Sequence, residues 1–271
     1  MNLWGYFLNF AGVFENLFVD MKVVFATQNK GKLREASDIL GEGVELLTPQ
    51  ECGIDGEAEE TGTTFAENSF LKAKYIWDRI FGDMRQIENG GDMASPGNTE
   101  WAVSGKVDAV FADDSGLEVD ALGGEPGIYT ARYAGNDKNF ADNMDKLLFK
   151  LKQAGADIPE ARKARFRCVV TLILSDGRTF VSDGSLEGQI AFHKAGCGGF
   201  GYDPVFIPDD GELSALASSG LAEQEIAALR GKTLAEIPEH LKNLISHRFK
   251  ALRAVVAALQ EAEKRDKTAG K

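Results

Sequence analysis

Between Lys22 and Leu47 the chain runs from an apolar stretch through a polar turn and a helical repeat to a second apolar stretch. Lys22–Thr27 (KVVFAT) reads as a buried strand, because a short β-branched run bounded by polar residues suits a sheet interior. Leu33, Ala36, Ile39 and Leu40 then recur at three- and four-residue steps, the spacing of one helix face. Val44–Leu47 reads as the next strand. Further along, a helix over Thr63–Phe81 places Phe65, Ser69, Ala73, Ile76 and Trp77 on one face, and Asp108–Ala112 returns to a strand. A second helix spans Asn139–Ala154, with Met144, Leu147, Leu148 and Leu151 inward. Arg165–Leu174 and Arg178–Ile190 flank Ser175-Asp176-Gly177, a hairpin signal. Val205–Ile207 is a short strand, and Ser246–Glu263 a closing helix with Leu252, Val255, Val256 and Leu259 inward. Hairpins and helical crossovers in one chain predict an α/β fold built on a mixed sheet.

The chain has 271 residues, 44% of them hydrophobic, enough for one large or two small domains. No window of roughly 18 apolar residues is present, so no membrane-spanning helix is expected. A net charge of −12 disfavours nucleic acid and anionic membranes as partners, and any phosphate site must gather lysine, arginine and a cation locally. Cys52, Cys168 and Cys197 form no close pair, which argues against a disulfide framework or structural zinc and suits a reducing cytoplasm; Cys168 lies in an apolar run and reads as core. Residues 1–20 contain no lysine or arginine and do not read as a secretory leader. They read as an N-terminal extension upstream of Met21, or as an amphipathic surface helix. The Gly-rich polar stretch 82–106 reads as a loop or insertion, and residues 264–271 as a fraying tail.

Five stretches can carry chemistry. Thr27-Gln28-Asn29-Lys30-Gly31-Lys32 lies between a strand and a helix, where backbone N–H groups favour anions. It is not a P-loop, because the leading glycine is missing and Leu33 stands where a serine or threonine belongs. Lysines at a helix start are also ordinary solvated residues. In Glu59-Glu60-Thr61-Gly62 and the helix after it, Asn68 and Lys72 are four apart and share a face, while Glu60 can point into a cleft. An acidic helix start that complements the dipole is the plainer reading. Phe111-Ala112-Asp113-Asp114-Ser115-Gly116 takes an apolar strand into adjacent carboxylates and a small-residue turn. Such carboxylates suit Mg²⁺, which binds through oxygen and keeps several waters; an Asx turn is the alternative. If the strand continues through them, Asp113 and Asp114 point to opposite faces and cannot serve one site equally. In Gly198-Gly199-Phe200-Gly201-Tyr202-Asp203-Pro204, glycines allow close backbone approach, and Phe200 and Tyr202 could stack on a purine; an ordinary aromatic turn is the equal alternative. Finally, Ser246 is a candidate N-cap that puts His247 and Arg248 in a first helical turn, where positive charge opposes the dipole and suits a ligand; a simple salt bridge is the alternative. Lys242 precedes them. His193 and His240 read as surface residues.

Taken in order, TQNKGK, EETGTTFAENSFLKAK, FADDSGLEVDALGGEPGIYTARYAG, GGFGYDP and KNLISHR resemble the inosine triphosphate pyrophosphatase family of nonstandard-purine hydrolases, over Met21 to about Gln260. The resemblance implies a two-lobed mixed sheet flanked by helices with a central nucleotide cleft, a Mg²⁺ cofactor and a homodimer. It implies hydrolysis of a deaminated purine nucleoside triphosphate to a monophosphate and pyrophosphate. Residue by residue, it assigns Thr27 to Lys32 and Lys72 to the phosphates, Glu60 and Asp114 to the metal, and proton acceptance to Asp114. Ser115 touches substrate, and Phe200, Gly201, Tyr202, Asp203, Lys242, His247 and Arg248 surround the nucleoside. On this reading residues 21–263 form one two-lobed domain, with insertions at 82–106 and 212–230. Two other functions compete. A pyrophosphatase of the septum-inhibitor (Maf) type has different motifs, and Ser246-His247-Arg248 argues against it. A catalytically silent nucleotide-binding module is disfavoured by intact Glu60, Lys72 and Asp114.

Overall fold

A computed structural model of the chain describes residues 21–40, 44–88, 107–135, 137 and 139–257, the side chains of 83–88 excepted. The first strand, β1 (Met21–Phe25), is followed by helix α1 (Lys30–Leu40) and β2 (Val44–Leu47), the order expected from the periodicity. β1 pairs in parallel with both β2 and β3 (Ala109–Val119), and its Val23, Val24 and Phe25 are buried, as a strand inside a parallel ladder requires. β4 (Pro126–Gly127) lies antiparallel to β3. β5 (Lys163–Leu174) and β6 (Thr179–Ile190) are neighbours joined through Ser175–Arg178, and β7 (Phe206–Pro208) runs antiparallel to β6. The sheet order β2-β1-β3-β5-β6-β7, with β4 off β3, makes a seven-stranded mixed sheet.

Helix α2 (Phe65–Glu88) buries Phe65, Ser69, Ala73, Ile76 and Trp77, the stripe read from the sequence, together with Asn68, Ile80 and Phe81. It runs seven residues into the stretch expected to be a loop; residues 89–106 lie outside the described ones. α3 (Phe140–Gln153) starts on Asn139, whose Oδ1 accepts from the N–H groups of Ala141 and Asp142. Short helices α4 (Asp210–Ser214), α5 (Glu223–Ala227) and α6 (Glu239–Ile245) precede a last helix, α7, at 247–257. The stretch 212–230, expected as an insertion, carries the end of α4, a 3-10 turn and α5, and puts Leu213, Leu216, Ile226 and Leu229 into a hydrophobic core.

The fold divides into two compact units. Unit 1 holds Ser115–Cys168 and Gly184–Lys250; unit 2 holds the described residues up to Asp114, Val169–Asp183 and those from Ala251 on. The unit 2 core gathers Val24, Leu47, Ile76, Trp77, Ile80, Phe81, Val110 and Ile173 between α2 and the strands. The Trp77 indole N–H there donates to the Leu174 carbonyl at 2.8 Å, so this buried donor is satisfied. The unit 1 core is built from Leu117, Val119, Leu147, Leu151, Leu186, Ile190 and Phe206. Complete burial of each such side chain contributes about 1.5–3 kcal/mol.

Candidate active site

In unit 2 the expected phosphate stretch is a turn closed by its own side chains. Asn29 Oδ1 accepts from Gly31 N–H at 2.9 Å and Lys32 N–H at 3.2 Å, which makes Asn29 the N-cap of α1. Thr27 Oγ1 accepts from Asn29 N–H. Gln28, Asn29 and Lys30 remain exposed at this helix start, with Thr27, Gly31 and Lys32 half-buried.

The start of α2 is fixed as firmly. Thr64 Oγ1 accepts from Glu67 N–H at 3.2 Å while Glu67 Oε2 accepts from the N–H groups of Thr63 and Thr64, a capping box where the sequence suggested only an acidic helix start. Hydrogen bonds from Thr63, the largest effect, hold the Glu67 carboxyl below its ordinary value. One turn on, Ser69 Oγ bonds the Ala112 carbonyl and Thr171 Oγ1, tying α2 to β3 and β5.

These anchors set a cluster of charges. Lys72 Nζ lies 2.8 Å from Asp114 Oδ1 and 3.2 Å from Glu60 Oε1, so one ammonium is held between the two carboxylates. Asn68 Nδ2 donates to the other oxygen of Asp114 at 3.3 Å. Lys32 Nζ pairs with Asp113 Oδ1 at 3.0 Å. The turn expected at Asp113–Gly116 is absent: β3 continues to Val119, and adjacent aspartates alternate as strand side chains do, one reaching α1 and the other α2. Burial pushes the Asp114 carboxyl above its ordinary value, against the pull of Lys72 and Lys32. Burial draws Lys72 down, but Asp114, Asp113 and Glu60 outweigh it and hold the ammonium above its ordinary range.

No group of three or more histidine, cysteine or acidic side chains gathers in metal-ligand geometry among the described residues. Two carboxylates that share one cation from separate segments are nevertheless the donor set that suits Mg²⁺, which takes one or two carboxylates and completes its octahedron with water and substrate phosphate.

Unit 1 holds a second cluster. Lys242 Nζ, on α6, lies 3.0 Å from Asp203 Oδ2, and both side chains are buried, at 7% and 8% exposure. The same Oδ2 accepts from Phe200 N–H at 2.8 Å, and the ammonium sits 5.0 Å from the Phe200 ring centre. Gly199 makes this possible: its φ is +71°, and a Cβ there would lie 2.0 Å from Asp203 Oδ2. Phe200 keeps an exposed ring, as a stacking surface needs. Tyr202 does not. It is 1% exposed, meets Phe140 edge-on and donates its hydroxyl to the Thr130 carbonyl, so it is a core residue that shapes the Gly201 turn rather than a stacking face.

Ser246 Oγ accepts from Phe249 N–H, confirming the N-cap of α7. His247 lies stacked on Phe166, with ring centres 5.1 Å apart. Arg248 is buried, and its Nη2 donates to Ser115 Oγ at 3.2 Å. An arginine in the first turn of a helix, against the dipole, thus has a polar partner. His193 and His240 are exposed, as expected. The sequence placed Asn68 and Lys72 on one helix face without showing what they share; the structure shows that it is Asp114.

A sequence model of the Ham1 family matches residues 23–258. A dITP/XTP pyrophosphatase of Pectobacterium atrosepticum is 39% identical over 245 residues, covering 89% of this chain and 99% of the relative. The dITP/XTP pyrophosphatase of Escherichia coli K12 is 38% identical over 246 residues, covering 88% and 98%. Among solved structures, the Ham1 protein of Staphylococcus aureus superposes with a TM-score of 0.63 at 33% identity, covering 89% of this chain and 99% of that one. A HAM1 protein of Coxiella burnetii gives 0.64 at 29% identity, with the same coverage.

Proposed function

The chain belongs to the Ham1 family, and on that premise we propose that it hydrolyses deaminated purine nucleoside triphosphates (dITP, ITP and XTP) to the monophosphate and pyrophosphate, clearing them from the nucleotide pool. The observation that carries this reading is the Glu60–Lys72–Asp114 cluster, in which two carboxylates from separate segments share one cation.

The cluster in unit 2 takes the triphosphate. Lys30, Lys32 and the N–H groups around Thr27–Lys32 meet phosphate oxygens, and Lys72 turns its ammonium to them. Glu60 and Asp114 would hold Mg²⁺, which when bound would neutralise phosphate charge and polarise the phosphorus centre. Asp114 accepts the proton of the attacking water. The water oxygen bonds to the α-phosphorus, the bridging bond to the β-phosphate breaks, and pyrophosphate leaves. Such a reaction needs positioning and charge neutralisation more than covalent catalysis, and charged side chains fixed by caps and strand anchors supply both.

The cluster in unit 1 takes the nucleoside. Phe200 stacks on the base, while Lys242, Arg248 and His247 offer donors to a 6-keto oxygen, with Ser115 beside Arg248. Adenine carries a donor at that position and leaves them unmatched, a mismatch costing several kcal/mol. Three cysteines outside any disulfide suit a cytoplasmic enzyme, and we infer a homodimer from the family resemblance. Hydrolysis of XTP in ¹⁸O-labelled water tests the point of attack: the label should enter the monophosphate. Label in the pyrophosphate, or release of orthophosphate, would contradict the reading.

A further inference from the structure

We propose that Asn68 is a positioning residue that fixes the rotation of the Asp114 carboxylate and holds it in register with the Glu60 segment. The proposal rests on the functional reading above.

Asn68 is 1% exposed and bonds in two directions. Its Oδ1 accepts from Gly62 N–H at 2.9 Å, and its Nδ2 donates to Asp114 Oδ2 at 3.3 Å. The orientation of this amide is determined chemically, because a backbone N–H can only donate and an ionised carboxylate can only accept. Lys72, one turn along α2, takes the other oxygen of Asp114 and also Glu60. Each oxygen of Asp114 therefore has its own partner on α2, and both partners also reach the Glu60–Gly62 segment. The two links differ in kind. Lys72 is a charged group whose ammonium is also needed by the phosphates, whereas the Asn68 amide is neutral and spans Gly62 and Asp114.

Gly62 shows how closely this segment is pressed onto Asn68. A Cβ at Gly62 would lie 2.6 Å from Asn68 Oδ1 and 2.7 Å from Glu67 Cβ. The helix beneath is itself immobilised by the Thr64–Glu67 cap and by Ser69 on Ala112 and Thr171. Asn68 thus relates the proton acceptor to the segment of the other expected metal ligand through two hydrogen bonds from a rigid base.

A buried asparagine could instead serve only to satisfy Gly62 N–H. Asn68→Asp separates the two roles, because it keeps an acceptor for Gly62 but replaces the donor facing Asp114 with a second acceptor. Steady-state pyrophosphate release from XTP is measured for the wild-type chain, Asn68→Asp and Asn68→Leu, with circular dichroism melting of each. Misplacing a reacting group by about 1 Å costs on the order of 100-fold, so Asn68→Asp should lose about 10- to 100-fold in kcat, with KM within about threefold. Asn68→Leu should lose at least as much and melt lower. A folded Asn68→Asp that keeps kcat within about threefold, or that loses only through KM, overturns the proposal. If Asn68→Asp does not fold, the kcat and KM of Asn68→Leu decide by the same criteria. Failure of both to fold makes Asn68 a structural residue and also overturns it. An inactive wild-type chain would instead refute the functional reading.

Discussion

Replacing Lys242 with methionine removes one charge from a buried pair and keeps most of the side-chain volume. At 3.0 Å, the Lys242–Asp203 attraction is about 5.5 kcal/mol at an effective dielectric of about 20. Desolvation of both ions offsets much of that in the intact protein, but in Lys242→Met the Asp203 carboxylate stays buried without its cation. Breaking a buried pair in this way costs about 3–5 kcal/mol. Asp203 retains the Phe200 N–H at 2.8 Å, which places the expected loss near the lower end, about 3 kcal/mol. For a chain of this size that corresponds to a melting point lower by about 6–12 °C. Adding Asp203→Asn removes the stranded charge while leaving an acceptor for Phe200, so the double variant should regain at least about 1 kcal/mol over the single one. Calorimetry or circular dichroism melting of the three proteins reads this out. A single variant melting within about 2 °C of wild type, or a double variant less stable than the single, would refute the reasoning.

The adjacent aspartates should separate by role. Asp114→Asn should stay folded and lose at least about 100-fold in turnover, the low end for a positioned general base. Asp113→Asn, which removes the carboxylate charge that Lys32 pairs with, should cost less activity but about 1–3 kcal/mol of stability; turnover at saturating Mg²⁺ with melting curves distinguishes the two patterns. Of the three cysteines, none in a disulfide, Cys197 is exposed while Cys52 and Cys168 are buried, and burial pushes the Cys52 thiol up to about 11. A thiol reagent at pH 8 should therefore titrate one cysteine rapidly in the native protein and three in denaturant; two or more fast thiols would contradict the described packing. Deleting residues 1–20 should leave XTP turnover nearly intact, because every expected site residue lies after Met21; a folded but inactive truncation would contradict this.

Much of the scaffold was legible because burial imprints a period. The 3.6-residue stripe of α2 and the apolar runs of β1 and β5 are direct consequences of which face meets the core. The hairpin turn and the N-cap at Ser246 were legible for a local reason, since each is satisfied within three residues of sequence. The turn expected at Asp113–Gly116 was misread because polar and small residues normally end a strand. Here Lys32 and Lys72, from two different helices, hold the carboxylates so that β3 can continue, and a pairing across 81 or 42 residues leaves no local mark. Tyr202 was misplaced for a similar reason. An aromatic next to glycines looks like an exposed platform until its hydroxyl partner, the carbonyl of Thr130 72 residues away, is known. The stretch 212–230 reads as an insertion when counted along the chain, yet it supplies Leu213, Leu216, Ile226 and Leu229 to the unit 1 core.

The central claim is that the Glu60–Lys72–Asp114 cluster serves Mg²⁺-dependent pyrophosphate release from a base bearing a 6-keto group. The most direct measurement is pyrophosphate release from XTP, dITP, ITP, GTP and ATP, each with Mg²⁺ and with a chelator. The account predicts fast release from XTP, dITP and ITP with Mg²⁺, slow release from ATP by a factor of about 100 or more, and none above background with the chelator. Comparable turnover of ATP and ITP, or full activity without a divalent cation, would contradict it.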